Sequence, residues 1–498
     1  MRLGRLLDRY GWAVFALFAS VCLYSLLIRA RAKPFWHDEI YTILHAGLPS
    51  LGAMWTASLD GFDLSPPLNT WITRAVHGVG GVGHISTRIP PLGGFLVALA
   101  VVFYLLRSRA NTVTALAGVL LPCFTAAYRY AYEARGYGLM VGLFAVAIYA
   151  WSEAARERAR RFHLVLLAAA LAATLWNHYY GLLTFVPIAG GEIVRTIQRR
   201  RIDRGVAAAF AAALVASVPL LSLAAAARSQ SQTFWSPASW SDVGPVYRYI
   251  FSPLMERDFA IAAIGLAILG IVLRKPAAAR QVPRSIPAHE IAAGALMLLI
   301  PLSGVILGLM LTGVFVPRYA MAAALGLSLV VPLALWQRQT RGGAAEFLLC
   351  AFLLVNFGRS IGPSLMSPPM MLDPFQARPV LRSAVASGSP VISNSSLQFL
   401  QYWYYTPAAM KGRLRYLTDV EEARKYTRSD TIDSGYLVLR RWTAVPIDLY
   451  DDYVAGHREF RVHEAGSGWL LRKLAENGAS TDEIARGPGE RLFLVRLP

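Results

Sequence analysis

The side chains best suited to chemistry near the start of the chain lie in Phe35-Trp36-His37-Asp38-Glu39-Ile40-Tyr41-Thr42. A carboxylate here can accept the proton of an attacking hydroxyl or orient it. It can equally cap the helical-looking segment that follows, with no further meaning. Neighbours in sequence point in different directions on a helix, so both carboxylates need not face one substrate; Asp38 is assigned the chemistry and Glu39 its support. What favours chemistry over capping is company: Arg88, Arg129, Glu133, Arg135, Tyr137, His178, Tyr179, Arg318 and Tyr319 recur beside apolar runs. The rigid donor fork of arginine matches two phosphate oxygens and stabilises the charge that a departing phosphate gains. Glu133 and Arg135 have the alternative of a structural pair, and His178 that of a plain hydrogen bond beside Tyr179 and Tyr180. His37, Glu39 and His178 are candidates for a divalent-metal site, although no metal-binding spacing links them.

These residues need a scaffold, and the composition says which kind. Of 498 residues 55% are hydrophobic and only 16% charged, and the mean hydropathy is +0.43. A soluble chain of this size needs far more charged surface. Apolar runs of bilayer length recur until about Asn356, at 11–28, 86–106, 112–128, 136–151, 163–177, 181–197, 205–223, 258–273, 289–311, 318–336 and 344–357. About eleven transmembrane helices are expected, several shorter than the roughly 20 residues of a perpendicular span. Cys22 and Cys350 fall inside such runs and Cys123 near the end of another, so none is a candidate for a structural disulfide.

Charge sets the orientation. With the N-terminus in the cytoplasm, the positive-inside rule is met by Arg2, Arg5 and Arg9, by Arg107 and Arg109, and by Arg156, Arg158, Arg160 and Arg161. It is met again by Arg195, Arg199, Arg200, Arg201 and Arg204, by Arg274, Lys275, Arg280 and Arg284, and by Arg338 and Arg341. Arg29, Arg31 and Lys33 break the pattern, but they surround the acidic pair. The outer face then receives residues 29–85, residues 224–257 with Phe234, Trp235, Trp240 and Tyr247 as interfacial anchors, and everything after about 358. The formal net charge of +19 lies mostly in loops between apolar runs, and the tail from Gly358 holds 18 Lys or Arg against 15 Asp or Glu. Nucleic acid is therefore not an expected partner. Short apolar runs at 390–393, 435–439 and 491–495 mark the tail as a small soluble α/β domain. The expected organisation is a membrane domain over 1–357, including the outer loop 29–85, and an outer domain over 358–498. Polar groups confined to one rim of a helical bundle suit an amphiphile with an anionic head.

The ordered set of these elements resembles a known family. The Asp38-Glu39 pair, Pro66-Pro67, Arg88-Ile89-Pro90, Tyr132-Glu133-Ala134-Arg135-Gly136-Tyr137, Asn177-His178-Tyr179-Tyr180 and Pro317-Arg318-Tyr319 are similar to elements in the bacterial members of the protein O-mannosyltransferase and lipid A aminoarabinose transferase superfamily. The resemblance covers roughly residues 30–320. It implies a GT-C-fold glycosyltransferase of the bacterial inner membrane, with inverting transfer of a sugar from a polyprenyl-phosphate carrier to a lipid, glycan or protein acceptor on the periplasmic side. It also implies that Asp38 matches the base or acceptor-orienting carboxylate. Asp63-Leu64-Ser65 departs from the pattern where relatives often carry a His near the proline pair, which points to a different acceptor pocket. The closing domain resembles soluble periplasmic domains appended to some relatives. No dinucleotide fingerprint competes, because Gly78-Val79-Gly80-Gly81-Val82-Gly83 lacks the strand and helix context of one. The alternative functions are a transporter or flippase of a lipid-linked saccharide, which would place polar or helix-breaking features near mid-membrane, and an assembly protein whose outer domain binds an envelope component.

Overall fold

The computed structural model describes residues 2–230, 233, 236–256, 261, 265, 286–337 and 344–498. The expected span 258–273, apart from Ile261 and Gly265, lies outside the described residues, as do Phe234, Trp235 and the basic residues Arg274, Lys275, Arg280, Arg284, Arg338 and Arg341. The chain forms two compact units: Met1–Ala30, Arg88–Pro219 and Ser236–Pro369 make the first, and Arg31–Thr87, Leu220–Trp235 and Met370–Pro498 the second. The first outer loop thus groups with the closing domain, whereas the hydropathy pattern had placed it with the spans.

The first unit is helical. Among the described residues four helices are long and apolar enough to cross a membrane: Gly11–Ala32, Ser86–Arg109, Tyr137–Ala155 and Ala345–Met366. Two further pairs, each broken by a bend, raise the number among the described residues to six if each pair is one span. Among the described residues the expected spans are not all long unbroken helices, and local chemistry explains the difference. The run 112–128 is interrupted at Pro122: helix Thr112–Leu120 tightens into a 3-10 turn, and Thr125 caps a new short helix, Ala126–Tyr130. Helices Arg160–Asn177 and Phe185–Arg199 begin or end on arginines, which shortens their apolar stretches.

Helices Ile89–Arg109 and Tyr137–Ala155 touch backbone to backbone. A Cβ on Gly142 would stand 2.3 Å from the Gly94 carbonyl oxygen, and one on Gly138 2.5 Å from that of Pro91. Small residues on both faces allow this approach, the usual device where lipid tails leave no hydrophobic drive between helices. At the far ends of these helices from Tyr137, charges neutralise one another. Arg109 pairs with Glu290 at 2.6 Å, Arg160 and Arg195 share Asp203 at 2.5 and 2.6 Å, and Arg156 reaches Glu153 at 3.2 Å. Cys22, Cys123 and Cys350 are buried and free of disulfides.

In the second unit, strands β1 (Val391–Ser393), β2 (Leu414–Thr418), β3 (Ile447–Leu449), β4 (Glu459–Glu464), β5 (Ser480–Gly487) and β6 (Glu490–Arg496) form one sheet in the order β3-β2-β1-β4-β6-β5. Strands β1 to β4 pair in parallel, while β6 runs antiparallel to both β4 and β5. Parallel neighbours require crossovers. Helix Ser396–Tyr405 supplies the one from β1 to β2, and helices Val420–Thr427 and Thr431–Trp442 the one from β2 to β3. Residues 435–439, an apolar run grouped above with the strand-like segments, are therefore helical. Asp433 in the first turn and Arg440 and Arg441 in the last complement the helix dipole. The first outer loop contributes helices His37–Ala46, Leu51–Leu59 and Leu68–Gly80 to this unit.

Candidate functional site

In the first unit the polar groups gather at helix ends. Arg318 sits in the 3-10 turn Pro317–Ala320 and donates from Nε to the Tyr137 hydroxyl at 2.8 Å. Its guanidinium lies 5.6 Å from the centre of the Tyr137 ring and 6.0 Å from that of Tyr319. The His178 ring stands 4.6 Å from Tyr319 and 5.8 Å from Tyr137, and its Nδ1 accepts the backbone N–H of Tyr180 at 3.1 Å. Arg135 and Arg318 both bear electrostatically on the Tyr319 hydroxyl. Buried Glu133 acts in the same way on Arg129 and Tyr130. Arg129 and Tyr130 both meet the Tyr249 hydroxyl, and the Arg129 guanidinium lies 5.3 Å from each ring.

One latch ties two of these loops together: Asn177 Nδ2 donates to the Gly136 carbonyl at 2.8 Å. A Cβ at Gly136 would come within 2.9 Å of Asn177 Oδ1, so a side chain there would push the Asn177 amide away from this hydrogen bond. Tyr179 opens the 3-10 turn Tyr179–Thr184. Arg88 is fully buried, donates to the Ala30 carbonyl, and leads into Pro90 and Pro91 at the start of its helix. Ring contacts link Tyr130, Tyr137, His178 and Tyr319, with Arg129 and Arg318 against them, and Glu133 and Arg135 bear on the same groups electrostatically.

In the second unit, Asp38 and Glu39 occupy the first turn of helix His37–Ala46. Their roles diverge. Glu39 is fully buried and accepts the Trp36 N–H at 3.3 Å, closing its own helix N-terminus. The Asp38 side chain is 24% exposed and its Oδ1 lies 3.3 Å from His37 Nδ1. At the other end of the helix, Arg74 donates to the carbonyls of Ala46 at 3.0 Å, Pro49 at 2.8 Å and Leu48, satisfying acceptors that a helix C-terminus leaves open. Burial raises the Tyr41 hydroxyl well above the usual tyrosine range, with Asp38, Asp63 and Asp433 adding to it. Among the described residues no group of three or more His, Cys, Asp or Glu is placed to hold a metal ion.

Sequence reasoning missed Tyr130 and Tyr249. Tyr249 lies 119 positions from Tyr130 on helix Val243–Met255, two residues after Tyr247, and nothing in its neighbourhood marks it. Asn177 and Tyr180 stood beside His178 but had no assigned role.

Solved structures provide the comparison. ArnT from Cupriavidus metallidurans in the apo state superposes with a TM-score of 0.61 at 13% sequence identity, over 98% of each chain. The same bacterium's ArnT bound to undecaprenyl phosphate gives 0.60 and 14%, over 97% of this chain and 98% of that one. This chain shares the fold of ArnT. The likeness to ArnT runs through both units, so the protein is a mostly helical, multi-pass membrane protein with a β-containing C-terminal domain. No family model and no curated protein sequence matches the chain.

Proposed function

We propose that the protein is an inverting glycosyltransferase that moves a sugar from a polyprenyl-phosphate donor to a lipid, glycan or protein acceptor on the periplasmic face of the inner membrane. The observation that carries this reading is the arginine and tyrosine cluster around Arg318, set at one end of a helical bundle that shares its fold with a protein solved with undecaprenyl phosphate. A transporter would keep its polar features near the middle of the bundle, whereas this cluster lies at helix ends.

In this reading Arg318 and Arg135 hold the donor phosphate and stabilise the charge it gains on leaving. Tyr137 fixes the Arg318 guanidinium through the 2.8 Å hydrogen bond. The acceptor hydroxyl attacks the anomeric carbon as the bond from that carbon to the phosphate oxygen breaks, and Asp38 takes the hydroxyl proton. Glu39 does no chemistry and holds the helix that carries Asp38. The isoprenoid tail partitions among apolar helices while its phosphate stays at the interface.

The test is turnover by the purified protein with a defined polyprenyl-phosphate sugar and acceptor, before and after Asp38→Asn. Asn keeps much of the shape and is itself a competent cap. Turnover should fall by roughly 100-fold or more while thermal stability and donor affinity change little. The product should carry the opposite anomeric configuration with no sugar attached to the protein. Near-normal turnover in the variant would remove Asp38 as the base, and movement of the carrier across vesicles without bond cleavage would favour a flippase.

A further inference from the structure

Ahead of Asp38, the closing domain grips its loop at the backbone of Phe35. Phe35 lies three positions before Asp38, in irregular backbone ahead of helix His37–Ala46, and is 1% exposed. Buried backbone outside helix and strand still needs partners for its N–H and its carbonyl. Both come from helix Ser396–Tyr405: the Phe35 N–H donates to the Tyr405 hydroxyl at 2.7 Å, and Gln401 Nε2 donates to the Phe35 carbonyl at 2.9 Å. Gln401 and Tyr405 are four residues apart on that helix and so share a face.

The surroundings reinforce the grip. The Phe35 ring stacks on His84 at 4.3 Å and meets Tyr404 edge-on at 5.7 Å. His84 Nδ1 lies 3.1 Å from the Lys33 carbonyl and its Nε2 3.3 Å from the Tyr405 hydroxyl. One tautomer satisfies every contact. With the proton on Nδ1, His84 donates to Lys33, its Nε2 accepts the Tyr405 proton, and the Tyr405 oxygen accepts from Phe35. Two more contacts tie the closing domain to the same loop: Trp442 Nε1 donates to Asp60 at 3.0 Å, and a Cβ at Gly435 would stand 3.0 Å from the Tyr41 hydroxyl oxygen.

We propose that Gln401 and Tyr405 are positioning residues, which clamp the Phe35 peptide and thereby set the direction in which Asp38 is presented. The inference rests on the reading of Asp38 as the base. It gives the closing domain a part in catalysis without any contact to the reacting atoms. Two residues separate the clamp from Asp38, Trp36 at the helix cap and His37 within the helix, so a loosened Phe35 peptide displaces the whole first turn. A displacement of about 1 Å at a reacting group is enough to cost up to 100-fold in rate.

The experiment compares the full-length protein with Gln401→Met and Tyr405→Phe, singly and together, in two assays. Hydrogen exchange over residues 33–39 reads the clamp without reference to activity. Steady-state kinetics, with undecaprenyl phosphate binding measured alongside, reads its consequence. The double variant should lose exchange protection at Phe35 and drop in kcat by at least about tenfold, with undecaprenyl phosphate affinity within about twofold of the unaltered protein. Tyr450→Phe, which removes a 3.1 Å hydrogen bond from Asn477 in the same domain, controls for general loosening and should alter neither readout. Unchanged protection in the double variant, unchanged kcat despite lost protection, or an equal fall in kcat for Tyr450→Phe would each overturn the proposal. Absence of any sugar transfer by the unaltered protein counts instead against the functional reading, and the exchange assay still reports on the clamp.

Discussion

Asp433 makes the closing domain sensitive to pH in a direction that its surroundings dictate. It lies in the first turn of helix Thr431–Trp442 and is 3% exposed. Its Oδ1 accepts from the Tyr416 hydroxyl at 3.1 Å, Thr418 Oγ1 at 3.2 Å and Trp469 Nε1 at 3.2 Å. Burial pushes its carboxyl up to about 7, against the opposing pull of those three donors. The unfolded chain releases the same proton near 4. Between those values the folded state binds a proton that the unfolded state has lost, so stability falls as pH rises through the window and levels off above it. The whole effect is on the order of 4 kcal/mol, of which about 3 kcal/mol falls between pH 5 and 8. Asparagine at this position keeps the Oδ1 acceptor that faces Tyr416, Thr418 and Trp469 and carries no charge. Asp433→Asn should therefore gain stability over the unaltered protein on going from pH 5 to pH 8, by several degrees in Tm. Thermal unfolding of both proteins in detergent across that range measures it. Parallel Tm profiles would refute the argument, as would a gain on the acid side.

Two further predictions concern the site and the topology. Arg318→Ala should weaken undecaprenyl phosphate binding or turnover by about tenfold or more, and Arg318→Lys should restore only part of it, because the charge survives but the fork that meets Tyr137 does not; equal activity in all three proteins would take Arg318 out of the site. A cysteine introduced at exposed Ser467 should react with a membrane-impermeant thiol reagent in intact cells while one at exposed Arg158 stays shielded, with little background from the three buried native cysteines; the reverse pattern would invert the proposed orientation.

The parts of this architecture legible in the sequence are those written locally. Bilayer-length apolar runs announce Gly11–Ala32 and Tyr137–Ala155, and the arginine and aromatic turns at 129–137 and 317–319 mark themselves by being polar next to such runs. Strands β1 and β6 follow from short apolar runs. The run at 435–439 misled because a buried strand and a buried helix face look alike over five residues. What settles it is the parallel pairing of β2 with β3, a long-range fact. The span at 112–128 looked continuous because hydropathy ignores the missing N–H of Pro122. The same limit hid Tyr249 and Gln401, ordinary residues whose importance comes from partners more than a hundred positions away.

The clamp on Phe35 also has a timetable. Its two halves are separated by 370 residues of chain, and synthesis at about 5–20 residues per second puts on the order of half a minute between them. Throughout that interval the acidic loop has already been made, while the helix that must grip it has not. The emerging protein therefore carries its Asp38 loop without the grip, and the domain that sets it is made well after the loop it holds.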